Sequence, residues 1–237
     1  SIDPADQLEQ VVKKVFDRGG VLLVPAFAVG RTQILLYYFW QLKQQKRIPD
    51  LPLYIDSPMA TDVSELFCQS VEEHRLSEGQ CRQMFSAATF TRSSEASRAL
   101  SQSTGPKIII SASGMATGGR VLHHLKNYLG DEKNMILFAG YQAAGTRGEA
   151  MLKGAKEIKI HGQYHPVRAE VVELDTLSAH ADSVELVEWL KAAPQAPQHV
   201  WITHGEPPAA EAFKLKIQSE LDWACTVPAY LDEVTLR

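Results

Sequence analysis

At 237 residues and 45% apolar side chains, the chain can bury a sizeable core as one large α/β domain or two smaller ones. No apolar run approaches the roughly 20 residues of a bilayer span, so no membrane association is expected, and the polar start SIDPADQLEQ does not read as a signal or transit peptide. A formal charge of −4 does not advertise nucleic-acid binding, though a local basic cleft is compatible with it, and three dispersed cysteines without CxxC spacing fit idle thiols in a reducing cytoplasm.

The elements alternate along the chain. Asp3 caps a first helix, Pro4 suits its first turn, and Leu8, Val11, Val12, Val15 and Phe16 give it one apolar face. Gly19-Gly20 ends it, and VLLVP follows as a short, fully apolar strand. The turn AFAVGR leads into a helix reaching about Lys46. The pattern then repeats: LPLYI and a helix from Met59; KIIIS and a helix from about Thr117; NMILFAG and a helix near Glu149. Residues 92–106 read as a helix between loops, and SELFCQSVEEHRL as a solvated helix face. Tyr37 to Trp40 resemble a core-facing run. Short apolar strands separated by helices indicate a parallel sheet covered on both faces.

From EIKIHGQYHPVRAEVVEL onward, two strands follow each other without a helix, so a hairpin or a crossing between sheets falls near 156–174. The tail from 198 reads as strand, helix and a last strand, DEVTLR. A boundary near residue 172 is expected.

Several stretches could carry chemistry. IIISASGMATGGR is a strand, a small-residue turn and a helix start, where free backbone N–H groups can receive an anion. Its spacing is neither the P-loop nor the dinucleotide fingerprint, which disfavours a nucleotide-binding domain; it could equally be a tight turn needing glycine for geometry. Arg31 in PAFAVGRTQ and Arg147 in GTRGEAM open helices at strand ends, where parallel sheets face their ligands; a solvent-facing arginine is the commoner alternative. His180 in TLSAHAD and His204 in VWITHGE both sit in turns just before a helix. A lone histidine is most often structural, but a matched pair favours a ligand or acid role. Ser178 and Asp182 could fix the His180 tautomer or cap the next helix. Neighbouring His123 and His124 read as surface residues, and His161 with His165 could chelate a metal only in a suitable hairpin.

Taken in order, GGVLLVPAFAVGRTQILL, YIDSPMA, IIISASGMATGGRVLHHL, MILFAGYQAAGTRG, LSAHAD and WITHGE resemble the β-CASP branch of the metallo-β-lactamase superfamily, which includes RNA-processing nucleases. The resemblance implies a three-layer αβα β-CASP domain with a mostly parallel sheet over 1–172. It implies that 173–237 is the C-terminal portion of a metallo-β-lactamase αββα domain. It assigns His180 to protonating the leaving oxygen and His204 to one of two zinc ions, with Ser178, Asp182 and Glu206 supporting them. Ser111, Ser113 and Gly114, with Arg31 and Arg147, would line the RNA-binding cleft, so RNA is the expected partner.

The main metal motif of that family, His-x-His-x-Asp-His, is absent from the 237 residues. The chain therefore resembles a C-terminal fragment, with an incomplete zinc ligand set and little or no activity of its own. Exposed apolar surface and strand edges would follow, through which it could form a homodimer. The alternative is a non-catalytic β-CASP module that holds RNA or a protein.

Overall fold

In a computed structural model, which describes residues 3–174, 176–177 and 180–235, the chain divides after Leu177 into two units. The first opens with α1 (Pro4–Asp17), where Asp3 Oδ1 accepts from the Ala5 N–H at 2.8 Å. Then come β1 (Val21–Pro25), α2 (Arg31–Gln44), β2 (Leu53–Asp56), α3 (Pro58–Gln69) and α4 (Glu78–Ser86). They are followed by β3 (Thr89–Phe90), α5 (Ser94–Gln102), β4 (Lys107–Ser111), α6 (Val121–Tyr128), β5 (Met135–Phe138) and α7 (Arg147–Leu152). The unit ends with β6 (Glu157–Ile160), β7 (Gln163–Pro166) and β8 (Glu170–Glu173).

Six strands form one sheet in the order β3-β2-β4-β1-β5-β8, and every neighbouring pair is parallel. The continuous apolar runs are explained by the pleat, which sends alternate residues to opposite faces, both covered. Leu22 and Val24 of β1, Ile108 and Ile110 of β4, and Met135 and Leu137 of β5 pack with α1, α2 and α4 through Leu8, Leu35, Phe39 and Met84. Leu23, Ile109, Ile136 and Phe138 point the other way, against Leu100 of α5, Leu125 of α6 and Met151 of α7. The result is the three-layer αβα arrangement.

Near residues 156–174, where a hairpin or a crossing between sheets is expected, the chain makes first one and then the other. β6 and β7 form an antiparallel hairpin, turned by His161 and Gly162, both at positive φ as a two-residue hairpin loop requires. β8 then returns to the edge of the six-stranded sheet beside β5. The charged stretch after Met59 is not one helix: α3 stops at Gln69, and His74 folds back to stack on Phe67 at 4.1 Å. Phe39 and Trp40 are buried, whereas Tyr37 and Tyr38 are half-buried.

The second unit holds α8 (Ser183–Lys191), β9 (Val200–Trp201), α9 (Pro207–Leu221) and β10 (Cys225–Thr226), with β9 and β10 parallel. Its core is small, centred on Val187, Ala210, Ile217 and Cys225, while Trp189 remains 73% exposed. The strand expected from DEVTLR does not form over the described residues 232–235. Asp232 instead closes a local turn, donating its N–H to Ala229 O at 3.1 Å and accepting from Ala229 N–H at 2.7 Å. No helix of the described residues is long and apolar enough to cross a membrane.

Candidate functional site

Parallel strands bring their C-terminal ends to one edge of a sheet, where ligands are usually met. Here that edge carries the turn between β4 and α6. The helix begins at Val121 rather than near Thr117, because the side chain of Ser113 captures the intervening backbone. Its Oγ accepts from the N–H groups of Thr117 at 3.1 Å and Gly118 at 3.3 Å. Gly119 has φ +77°, and a Cβ there would lie 2.7 Å from the Ala112 carbonyl oxygen. Gly114 lies so close to Phe27 that a Cβ would sit 2.8 Å from its ring.

Within this turn, no described residue accepts from the backbone N–H groups of Gly114 and Met115. Two successive N–H groups in a small-residue turn are the kind of donors that receive an anion; here Gly114 is buried and Met115 half-buried. Ser113 is half-exposed at the same place, whereas Ser111 is buried and donates its hydroxyl to Asp56 O at 2.9 Å. Ser111 thus ties the stem of the turn to β2.

The two arginines frame this edge differently. Arg147 donates from Nε to Lys159 O at 2.7 Å, and from Nη1 to Ala116 O at 3.2 Å and Thr117 O at 3.3 Å, fastening the turn to β6. Arg31 is half-buried, donates from Nη1 to Leu177 O at 2.5 Å and lies against Gly140. Burial lowers its pKa from the ordinary arginine value, so its environment is drier than that of a solvent-facing arginine. Gln142 links the two places: its Nε2 donates to Gly114 O at 3.1 Å and to Gly140 O at 2.9 Å. Ser113, Gly114, Arg31 and Arg147 are therefore neighbours of one loop system.

In the second unit, His180 and His204 are both exposed, and neither is packed in an apolar core. Asp182 caps α8: its Oδ1 accepts from Val184 N–H at 2.7 Å and Glu185 N–H at 2.9 Å, and Glu185 accepts back from the Asp182 N–H. Those backbone donors hold its carboxyl below the usual aspartate range. His204 has φ +66°, directly before Gly205 and the start of α9 marked by Glu206. Ser178 lies outside the described residues. Among the described residues no group of three or more His, Cys, Asp or Glu could hold a metal ion.

Residues 32–151 match the Beta-Casp domain family, which accounts for half of the chain. The chain belongs to the β-CASP family. Residues 164–228 of this β-CASP chain further match the Zn-dependent metallo-hydrolase RNA specificity domain. It is 37% identical over 206 residues to Ribonuclease TTHA0252 of Thermus thermophilus, covering 83% of the chain and 46% of that relative. It is 32% identical over 230 residues to the transcription termination factor FttA of Methanosarcina mazei, covering 92% of the chain and 36% of the relative. With Integrator complex subunit 11 of Gallus gallus it shares 30% over 231 residues, 95% of the chain and 37% of the relative. The chain thus spans less than half the length of each of these.

The β-CASP unit also holds a buried polar cluster that reading the sequence residue by residue missed. His124, taken for a surface residue, is fully buried. Its Nε2 lies 2.6 Å from Asp56 Oδ2, and its Nδ1 lies 3.0 Å from Ser101 Oγ. Asp56 also accepts from Ser97 Oγ at 2.5 Å and from Arg120 Nη1 at 2.8 Å. Burial alone would raise the pKa of Asp56, but the hydrogen bonds from His124, Ser97 and Arg120 outweigh it and hold the carboxyl below its ordinary value. Arg120, the last residue of the β4–α6 turn, thereby fixes the end of that turn to β2. The available signal was the spacing: Arg120 and His124 are four apart and share a helix face.

Proposed function

We propose that this chain is the β-CASP part of a zinc-dependent RNA-processing nuclease that hydrolyses RNA phosphodiester bonds, and that its own contribution is to hold the RNA. The observation carrying this is the pair of N–H groups at Gly114 and Met115, which have no acceptor among the described residues, in a turn fastened by Arg147. A phosphodiester oxygen is the acceptor such a turn suits. Ser113 and Arg31 stand beside it as further donors, while Ser111 and Arg147 keep the turn in shape. The match to an RNA specificity domain and the resemblance to a protein named ribonuclease support RNA as the polymer.

His180 is the residue we assign to proton transfer. As water adds to phosphorus, one P–O bond forms and another breaks, and the departing oxygen needs a proton that an imidazole can give. Asp182, engaged in capping α8, would support it through the backbone of the turn. His204 would supply one zinc ligand, with Glu206 beside it. A zinc site takes three or four protein ligands, and the described residues hold no such group. Zinc therefore does not fit the described residues of this chain alone.

That shortage of ligands favours a second reading, a non-catalytic module that binds RNA or a protein. All three cysteines are free, and burial with the neighbouring Cys81 pushes the Cys68 thiol up to about 12. Free thiols without a disulfide suit the reducing cytoplasm.

The experiment is RNA binding and RNA cleavage by the 237-residue chain, with and without added zinc. We expect binding without turnover, and weaker binding by Gly114→Ala. Zinc-dependent cleavage lost in His180→Ala would overturn the assignment of an incomplete metal site. No binding at all would overturn the RNA reading. A coding sequence upstream of Ser1 that specifies His-x-His-x-Asp-His favours the nuclease; one without it favours the binding module.

A further inference from the structure

On the face of the sheet covered by α5 and α6, a cleft of about 400 Å³ runs between the two helices. Three cations line it: Arg98 from α5, Arg120 at the end of the β4–α6 turn, and Lys126 from α6. No carboxylate lines it and no large apolar side chain does; the other lining groups include the hydroxyls of Ser94 and Ser101 and the carboxamides of Gln102 and Asn127. Arg120 is neutralised by Asp56 at 2.8 Å. Arg98 and Lys126 are not: neither makes an ion pair or side-chain hydrogen bond with any described residue. His123, also at the cleft, has its pKa lowered first by burial and then by the charges of His161 and Lys126.

The chemistry of the lining narrows the occupant. Protein interfaces need an apolar core with aromatic anchors, and this cleft has none. Two uncompensated cations among hydroxyl and amide donors suit phosphate oxygens. The placement narrows it further. The cleft starts at Arg120, where the turn proposed to hold an RNA phosphate ends. Lys126 lies six residues on, about 9 Å along the helix at a rise of about 1.5 Å per residue. With Arg120 neutralised, the uncompensated charge at Lys126 lies beyond the turn by more than one phosphate group spans, as a polymer would require and a mononucleotide would not.

We propose that the α5–α6 cleft is a second phosphate subsite, which takes backbone phosphates of the RNA strand beyond the nucleotides held at the β4–α6 turn, with Arg98 and Lys126 as its cations. The proposal rests on the RNA reading given above. It adds a footprint outside the β4–α6 turn and sets how long a strand must be to bind well.

The test is fluorescence anisotropy on the 237-residue chain, with labelled single-stranded RNAs of about 4 and about 16 nucleotides, the range one binding fold covers. Arg98 is exposed and Lys126 half-exposed, so the Arg98→Ala/Lys126→Ala double variant should keep the parent thermal melt. We expect it to bind the long RNA roughly tenfold more weakly, with a salt slope reduced by about two, and to bind the short RNA as the parent does. The charge-preserving pair Arg98→Lys/Lys126→Arg should restore long-RNA binding. Unchanged long-RNA affinity in the alanine variant, with the parent binding both RNAs, overturns the cleft alone. Equal weakening of both lengths also overturns it, because the cations would then act on the strand as a whole. So does uridine monophosphate binding that the variant loses while its RNA affinity stays intact. A parent chain that binds neither RNA overturns the RNA reading and the cleft together.

Discussion

His124 Nε2 lies 2.6 Å from Asp56 Oδ2 with both side chains fully buried, joining the middle of α6 to the end of β2. Removing one partner of a buried charge leaves the other without compensation, typically at a cost of about 3–5 kcal/mol. His124→Leu leaves Asp56 with Ser97 and Arg120, so the loss should fall at the lower end, about 3 kcal/mol. Urea unfolding monitored by circular dichroism reads this directly. A loss below about 1 kcal/mol, the scale of an exposed pair, would show that the contact does not stabilise the fold.

The same carboxylate gives stability a pH dependence with a defined sign. Hydrogen bonds depress the pKa of Asp56 in the folded chain relative to the unfolded one. Its stabilising contribution is therefore fully present above the unfolded value of about 3.9 and is lost as pH falls from there through the folded value. The stability difference between the parent and Asp56→Asn should be constant from neutral pH to about pH 5 and shrink below about pH 4. A difference that stayed constant down to about pH 3 would show that these hydrogen bonds do not depress the Asp56 pKa.

The layered fold was legible because its strands are continuous apolar runs, each followed by a helix. Leu22, Ile109 and Ile136 could be assigned to a doubly covered sheet from that pattern alone. The β4–α6 turn was legible as a small-residue strand-to-helix connection, but its length was not, since Ser113 Oγ replaces helical acceptors for Thr117 and Gly118. His124 reads as a surface residue beside His123 alone, whereas its spacing of four from Arg120 places both on the face that meets Asp56. Asp56 was not singled out because its three partners come from α5, α6 and the turn, 41 to 68 residues away. The strand expected from DEVTLR does not form over the described residues 232–235 because Asp232 bonds locally to Ala229, a preference that strand propensity does not register.

Gly119 and Gly114 should fail for different reasons. Gly119→Ala places a Cβ at φ +77° and 2.7 Å from a backbone oxygen that cannot move aside. We expect a stability loss of about 1–2 kcal/mol from the left-handed backbone alone, more with the clash. Gly114→Ala meets the Phe27 ring at 2.8 Å, but also Phe27 N at 3.0 Å. Adding Phe27→Ala removes the ring and not the backbone, so RNA affinity in the double variant should recover only in part. Full recovery would mean that the ring, rather than the approach of the two chain segments, makes glycine necessary.

Arg147 separates holding the turn from touching the ligand. Its guanidinium reaches three carbonyls at once, Lys159 O from Nε and Ala116 O and Thr117 O from Nη1. An ammonium is a single point of charge and lacks the planar fork that spans them. Arg147→Lys therefore keeps the charge near the turn and loses the fastening. If the arginine acts by shaping the turn, the lysine variant should show faster amide hydrogen exchange across residues 113–119 and weaker RNA binding with the salt slope unchanged. If it contacts phosphate instead, the lysine variant should retain most of the affinity, and only Arg147→Ala should lower the slope by about one. Measuring exchange and salt slope on the two variants decides between these roles.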